Sequence, residues 1–576
     1  MGGNSDDPGT GGDDTDTDDG TDGGGSQNTG GKPVIGLAAE PKAFNPLVNS
    51  QAEMFAILDQ FYQNPTVRDR DNPSETTGWM FQDYSFDPDS LSGTFSVSEE
   101  LTWSDGTDFT AEDVAWTFGD YLQNNEGHRY EGDIAPIKDI GTTGTYEGEF
   151  QLSRSAAAIF VERVGVFSVP VLPKHIWSEV DDYTQFSPTE LVGSGGFKWG
   201  DSDPGNWYEI EARDDFPLHD GPHVDALRFR VYGSMNAMMQ GLQNGEIDMP
   251  YRSITPDQAA QIAGQNEIEI WESPSEGYNY VAFNMRRTPF DDKPFRQAMS
   301  FIYPYDYLVN DLRRGKSVKG DYVAAAAWET RRPDSFDEPF DHGPYQTEDG
   351  EPDYEQARAH LENADGKHDY SFGPVESEQV TGDVELRING ETLPEAHTDN
   401  DGNSGNGPLD MVMTPPSQAP VAAKASARFV ENLNEIGIPT EQRPVDANTQ
   451  DAVIWQEEDF DMWESGWIWM IPPDFSMDFW LLGKNADMDS SSSNVHLNPM
   501  GYEGGDEAIQ NTVQTFETDA QIQAAKEALA TVYEDHPVLV TEYPDRINAT
   551  SADFTGYVKF PGGIAQNVYT YLSLRP

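Results

Sequence analysis

Aromatic rings and carboxylates are concentrated in one stretch, Asp461-Met462-Trp463-Glu464-Ser465-Gly466-Trp467-Ile468-Trp469-Met470-Ile471-Pro472-Pro473-Asp474. Its Trp residues are interrupted by Gly and Pro. Such rings bury a large area at low entropic cost and stack on flat or apolar ligand faces. The chemistry on offer is recognition, with Trp467 and Trp469 as stacking platforms. Taken alone, the run reads first as a hydrophobic cluster at the base of a loop. Other constellations that could react lack the required spacing. Val192-Gly193-Ser194-Gly195-Gly196-Phe197-Lys198 is Gly-rich but has no Gly-Lys-Ser/Thr ending to cradle phosphate. Asp399-Asn400-Asp401-Gly402 opens like a calcium loop but lacks the spacing and the terminal Glu, and reads as a solvated loop. His175 stands in a Pro-rich run and reads as structural rather than as a base or ligand. The nucleophile elbow and the zincin helix are both missing. In a chain with 102 acidic residues, neighbouring carboxylates say little about peptide or glycan hydrolysis.

The elements that must hold these residues follow from periodicity. Thr94-Phe95-Ser96-Val97-Ser98 alternates polar and apolar and reads as a half-buried strand. Ser104-Asp105-Gly106-Thr107 is turn chemistry. Thr110 then caps a helix with Glu112 and Asp113 in its first turn and Val114, Phe118 and Tyr121 on one face. Further strands are expected at Pro33–Leu37, Leu227–Tyr232, Tyr278–Asn284, Val384–Ile388 and His536–Tyr543. Helices are expected through Met54 to Phe61, after Pro289, at Asp353–Leu361, at Pro420–Ile438 with Gly437 as its stop, and at Ala520–Tyr533. Helices and strands thus follow one another along the chain.

A chain of 576 residues is too long for one ordinary core, so two or more domains are expected. Lys+Arg is 35 and Asp+Glu is 102, a net charge of -67 spread along the whole chain. Nucleic acid and anionic membrane surfaces are therefore poor partners. Such self-repulsion strains a compact fold in dilute buffer, whereas at about 1 M salt the screening length falls to about 3 Å. The charge reads as adaptation to a hypersaline medium. Cys is absent, which excludes a disulfide scaffold and a Cys-based metal site. No long uninterrupted apolar segment exists to span a membrane, and the sequence is expected to carry no signal peptide. Residues 1–32 are mostly Gly, Asp, Thr and Ser and are expected to form a disordered acidic tether.

Several motifs, in order, resemble those of the peptide- and nickel-binding class of extracytoplasmic solute-binding proteins, family 5, the capture subunits of ABC importers. They are Trp103-Ser104-Asp105-Gly106 with Thr110-Ala111-Glu112-Asp113-Val114, Pro173-Lys174-His175-Ile176-Trp177, Gly193-Ser194-Gly195-Gly196-Phe197-Lys198, Gly245-Glu246-Ile247-Asp248, Tyr278–Asn284 and Asn498-Pro499-Met500-Gly501-Tyr502. Gly196 stands where Pro is usual. The resemblance runs from Pro33 to Tyr543 and implies an α/β, two-lobed periplasmic-binding-protein-like fold of class II, cluster C type, with an extra subdomain inserted in the first lobe. The implied first lobe is 33–75 with 161–282 and 495–576, the inserted subdomain is 76–160, and the second lobe is 283–494. It further implies a haloarchaeal-type lipoprotein at the extracellular face of the cytoplasmic membrane, tethered by lipid on a Cys that Met1 replaces or that is missing here. The partners implied are an ABC permease and its ATPase subunits, and the chain is expected to be a monomer without cofactor, metal or catalysis.

The resemblance brings the Trp-rich run to the cleft between the lobes. The implied ligand contacts are Trp467, Trp469, Met470 and Asp474, with Tyr278 and Tyr280 on the hinge side and Asn45 from the first lobe. Two positions depart from the pattern. Met470 stands where peptide-binding relatives usually carry an acid for the peptide ammonium, and Glu464 where oligopeptide relatives often place Arg. Asp474, or less readily Asp478, supplies the charge, or else the ligand has no free amine. A dipeptide or oligopeptide is the leading ligand, and an oligosaccharide stacked on Trp is the alternative.

Overall fold

The computed structural model describes residues 30–576 except 43, 49–50, 74–75, 88, 154–166, 266, 334–342, 469–476, 479, 484–485, 487–497 and 516–517. The expected tether up to residue 29 lies outside the described residues, as do Trp469, Met470 and Asp474.

Short apolar runs build two main sheets. In the first, Val34–Leu37 lies between Ala226–Val231 and Met249–Pro250 and is parallel to both; Trp207–Ala212 and Phe197–Asp203 extend it antiparallel. A four-stranded antiparallel sheet, ordered Phe81–Asp87, Ser92–Val97, Glu147–Leu152 and Ile137–Thr142, shares its hydrophobic core. This sheet falls within the range 76–160 read as an insertion. The module expected around Trp103 is present. Ser92–Val97 is a strand, Gly106 has φ +87°, and helix Ala111–Trp116 starts with the Asp113 carboxylate accepting from the Thr110 backbone N–H at 3.0 Å.

The second sheet is ordered Ser317–Lys319, Val538–Pro544, Gly277–Phe283, Met462–Ile468, Leu409–Met413 and Thr440–Pro444. Gly277–Phe283 is antiparallel to both neighbours. Strand alternation sends successive side chains to opposite faces. Val281, Phe283, Met411, Met462 and Leu539 meet helices Lys293–Ile302 and Pro420–Ile436 on one face. Tyr280, Ala282, Val412, Trp463 and Val540 meet Thr518–Asp535 on the other. Gly437 ends the Pro420 helix at φ +108°, the left-handed conformation expected of it.

Sheet membership departs from the boundaries read in the sequence. Gly277–Phe283 and Val538–Pro544 were expected in the first lobe, yet both are inner strands of the second sheet, and Thr518–Asp535 packs on that sheet too. The reason is that Val538–Pro544 is buried along nearly its whole length. Such a run marks a strand covered on both faces but not the sheet it joins. The chain passes to the second sheet through Pro274–Glu276 and leaves it at Asp545. Arg546–Ser551 then pairs antiparallel with Ile268–Ser273, against the Met235–Gln243 helix of the first lobe.

Candidate functional site

Strand Met462–Ile468 carries the described part of the Trp-rich run, with Trp467 opposite Tyr278 and Ser465 opposite Tyr280 on Gly277–Phe283. The period of two puts Tyr278, Tyr280, Trp463 and Trp467 on one face, and Trp480 from the following segment closes over them. Trp480 stacks on Trp467 with ring centroids 5.1 Å apart and planes 15° from parallel. Tyr280 lies 5.1 Å from Trp480 and meets Trp463 edge-on at 5.7 Å. Trp467 is the outermost of these rings at 9% exposure, and Trp480 is fully enclosed. The structure therefore brings together three of the sequence-derived site residues, Trp467, Tyr278 and Tyr280.

The other face of the same strands is ionic. Gly466 sits beneath the Asn279 side chain. The Asn279 amide donates to Glu542 at 2.7 Å, and Arg313 Nε donates to both Glu542 oxygens at 2.9 Å. Buried beside this pair is Glu464. Burial pushes its carboxyl up to about 7; the Glu542 charge adds to the rise and Arg313 opposes it. The sequence drew attention to Glu464 only as a departure from the pattern of oligopeptide relatives, which often place Arg there. Arg313 and Glu542 are separated by 229 residues and carry no local signal of their pairing. Trp480 could have been found, because it follows the Trp-rich run within an apolar patch.

Asn45 stands apart. It is fully buried, its amide donates to the carbonyls of Tyr183 and Phe186 at 2.7 and 2.9 Å, and its oxygen accepts from the Leu47 N–H at 2.9 Å. These bonds pin the 183–186 segment to the first lobe. His175 lies on the short helix Lys174–Trp177, where Nε2 contacts Asp105 at 2.8 Å, so two of the sequence motifs meet each other. The Gly193–Phe197 loop packs on the end of the Ala52–Leu58 segment: Gly195 N–H donates to the Phe61 carbonyl at 2.8 Å, and a Cβ at Gly195 would strike the Gln60 carbonyl. Close backbone approach explains those glycines. The Asp399 carboxylate accepts from its own loop, Asp401 N–H at 3.0 Å and Asn403 N–H at 2.9 Å.

The aromatic end of the second sheet adjoins the crossover. Tyr278 is two residues past Glu276, whose carboxylate pairs with Arg68 of the first lobe. Among the described residues no group of His, Cys, Asp or Glu could hold a metal ion, and no helix is long and apolar enough to cross a membrane.

Two mixed sheets joined by short crossovers define the two-lobed fold of a solute-binding protein. The profile of the bacterial extracellular solute-binding proteins, family 5 (middle region), matches residues 75–488, and the chain belongs to that family. It is 25% identical over 309 residues to the oligopeptide-binding protein AppA of Bacillus subtilis, covering 50% of this chain and 53% of that one. The chain thus spans about half the length of the curated relatives it matches. Solved structures agree over nearly the whole chain. AppA of B. subtilis in complex with a nonapeptide superposes with a TM-score of 0.69 at 20% identity, covering 96% of this chain and 100% of that one. NikA of Brucella suis in complex with Fe(III)-EDTA gives 0.73 at 16% identity, covering 95% and 100%.

Proposed function

We propose that this chain captures a peptide outside the cell between its two lobes and hands it unaltered to an ABC permease with its ATPase subunits. The observation that carries the reading is the aromatic cluster of Trp467, Trp480, Tyr278 and Tyr280 beside the crossover. Trp469, Met470 and Asp474 complete the proposed ligand set, and Asn45 contributes by holding the first lobe in shape. Lobe closure by hinge motion at the crossovers encloses the ligand. The lobes proposed are those read from the sequence, with Gly277–Phe283 and Val538–Pro544 moved to the second. Membership of the family and the likeness to AppA favour a peptide. An oligosaccharide is the second reading, favoured by the Trp467–Trp480 stack, which offers a flat apolar platform.

The same reading has the chain extracellular, monomeric, tethered through its acidic N-terminal segment by a lipid, and adapted to high salt, the last on the strength of the net charge of -67. No covalent chemistry is part of it. Calorimetry in molar NaCl against di- to pentapeptides and oligosaccharides tests it. Saturable heat without turnover supports capture, and product formation from any compound overturns it.

A further inference from the structure

Arg68 ends strand Thr66–Arg68 in the first lobe, and its side chain reaches the second. Its Nε–H donates to the Pro73 carbonyl at 2.7 Å, and one terminal nitrogen pairs with the Glu276 carboxylate at the crossover. The guanidinium lies over the indole of Trp328, 5.2 Å from its centroid, and equally near the ring of Phe560, also at 5.2 Å. Trp328 belongs to the helical segment Ala326–Arg331, which packs on helix Thr518–Asp535 of the second lobe. Arg331 approaches the same indole at 5.4 Å. Segments from both lobes and the crossover thus close around two cations and one carboxylate.

The hydrogen bonding here is incomplete. Arg68 Nη2 and Trp328 Nε1 are buried with no acceptor among the described residues, and Trp328 is only 2% exposed. Buried N–H groups are nearly always paired, so each exception calls for an explanation. Acceptors are abundant in a chain with 102 acidic and 35 basic residues, yet none among the described residues reaches these two donors. Burial also lowers Arg68 to about 10, the direction a cation takes when it lacks full counter-charge. Because the guanidinium stacks on the indole, the two vacant donors belong to adjacent groups, one from each lobe.

We propose that Arg68 and Trp328 form a carboxylate-binding subsite, in which an oxygen pair of the ligand accepts from Arg68 Nη2 and Trp328 Nε1. This rests on the capture reading above and sharpens it: the solute carries a carboxylate, such as the free C-terminus of a peptide. One donor comes from each lobe, so the anion joins the lobes and favours the closed arrangement. Glu276 holds the guanidinium in place and limits the site to a single negative charge.

The test uses the full chain in molar NaCl and two matched sets of probes. One is peptides of two to nine residues as free acids and as C-terminal amides; the other is oligosaccharides with and without a terminal uronic acid. In whichever set binds, the acid is expected to bind about tenfold tighter than its neutral partner. Trp328→Phe keeps the ring and removes the N–H, and Arg68→Gln removes the cation. Each is expected to bring the acid-over-neutral preference from about tenfold to near unity. Thermal unfolding of both variants checks the fold, and Trp328→Phe carries the test if Arg68→Gln unfolds. Equal binding of acid and neutral probes overturns the subsite and leaves capture standing. Absence of binding by every probe overturns both.

Discussion

The indoles of Trp467 and Trp480 lie face to face, centroids 5.1 Å apart and planes 15° from parallel. One comes from the strand that carries the Trp-rich run, the other from the segment after it. Trp480 is fully enclosed, and Trp467 retains 9% of its surface. The two rings therefore divide support from contact, which mutation can separate. Trp480→Ala should destabilise the fold by about 3–5 kcal/mol, the range for deleting a buried aromatic ring. Trp467→Ala should weaken binding of an identified ligand by about 2 kcal/mol, roughly thirtyfold. Denaturant unfolding and calorimetry on the same two variants read out the difference. Unchanged affinity in Trp467→Ala would remove this face from the site.

Glu464 makes a pH-dependent prediction whose sign is opposite to that of a salt-bridged carboxylate. Its folded pKa is raised to about 7, so between the unfolded value and 7 the folded state binds more protons than the unfolded state. Stability therefore falls as pH rises through that window. Glu464→Gln abolishes the ionisation and should be more stable than the parent above about pH 7, by on the order of 3 kcal/mol, with the gap closing toward about pH 4.5. Urea unfolding of both proteins across that range, at fixed molar salt, measures the gap. A gap independent of pH would mean that Glu464 ionises normally.

With a net charge of -67, the folded chain repels itself wherever counter-ions are dilute. Raising the salt to about 1 M shortens the screening length to about 3 Å and removes most of that repulsion. The melting temperature should climb steeply from low salt to molar NaCl or KCl. Calorimetric scans across that series check it, and a flat melting temperature would count against salt adaptation.

Local signals were legible where a single element explains a residue. Thr110 and Asp113 close a helix start, Gly437 ends a helix at φ +108°, and the alternation in Tyr278–Phe283 divides the two cores of the second sheet. Pairing across the chain was not legible. Val538–Pro544 carries no mark of the sheet it joins, because an apolar run suits any buried strand. Arg313 finds Glu542, and Arg68 finds Glu276 and Trp328, only once the crossovers bring the segments together. Trp467, Tyr278 and Tyr280 were named through the family resemblance and lie together on one face of the second sheet, whereas Arg68 and Trp328 carry no such mark in the sequence.

Asn45 separates holding a lobe in shape from touching a ligand. Its amide is committed to two carbonyls and its oxygen to one N–H, all within the first lobe. Asn45→Ala leaves the Tyr183 carbonyl only the Phe186 N–H at 3.2 Å, takes the partner from the half-buried Phe186 carbonyl and from the Leu47 N–H, and should cost about 1–3 kcal/mol of stability. Ligand affinity at a temperature where the variant remains folded should change less than about threefold, because no polar atom of Asn45 is left to offer. Denaturant unfolding measures the first effect and calorimetry the second. A large loss of affinity with stability intact would instead put Asn45 in contact with the ligand, which requires the 183–186 segment to release it when the lobes close.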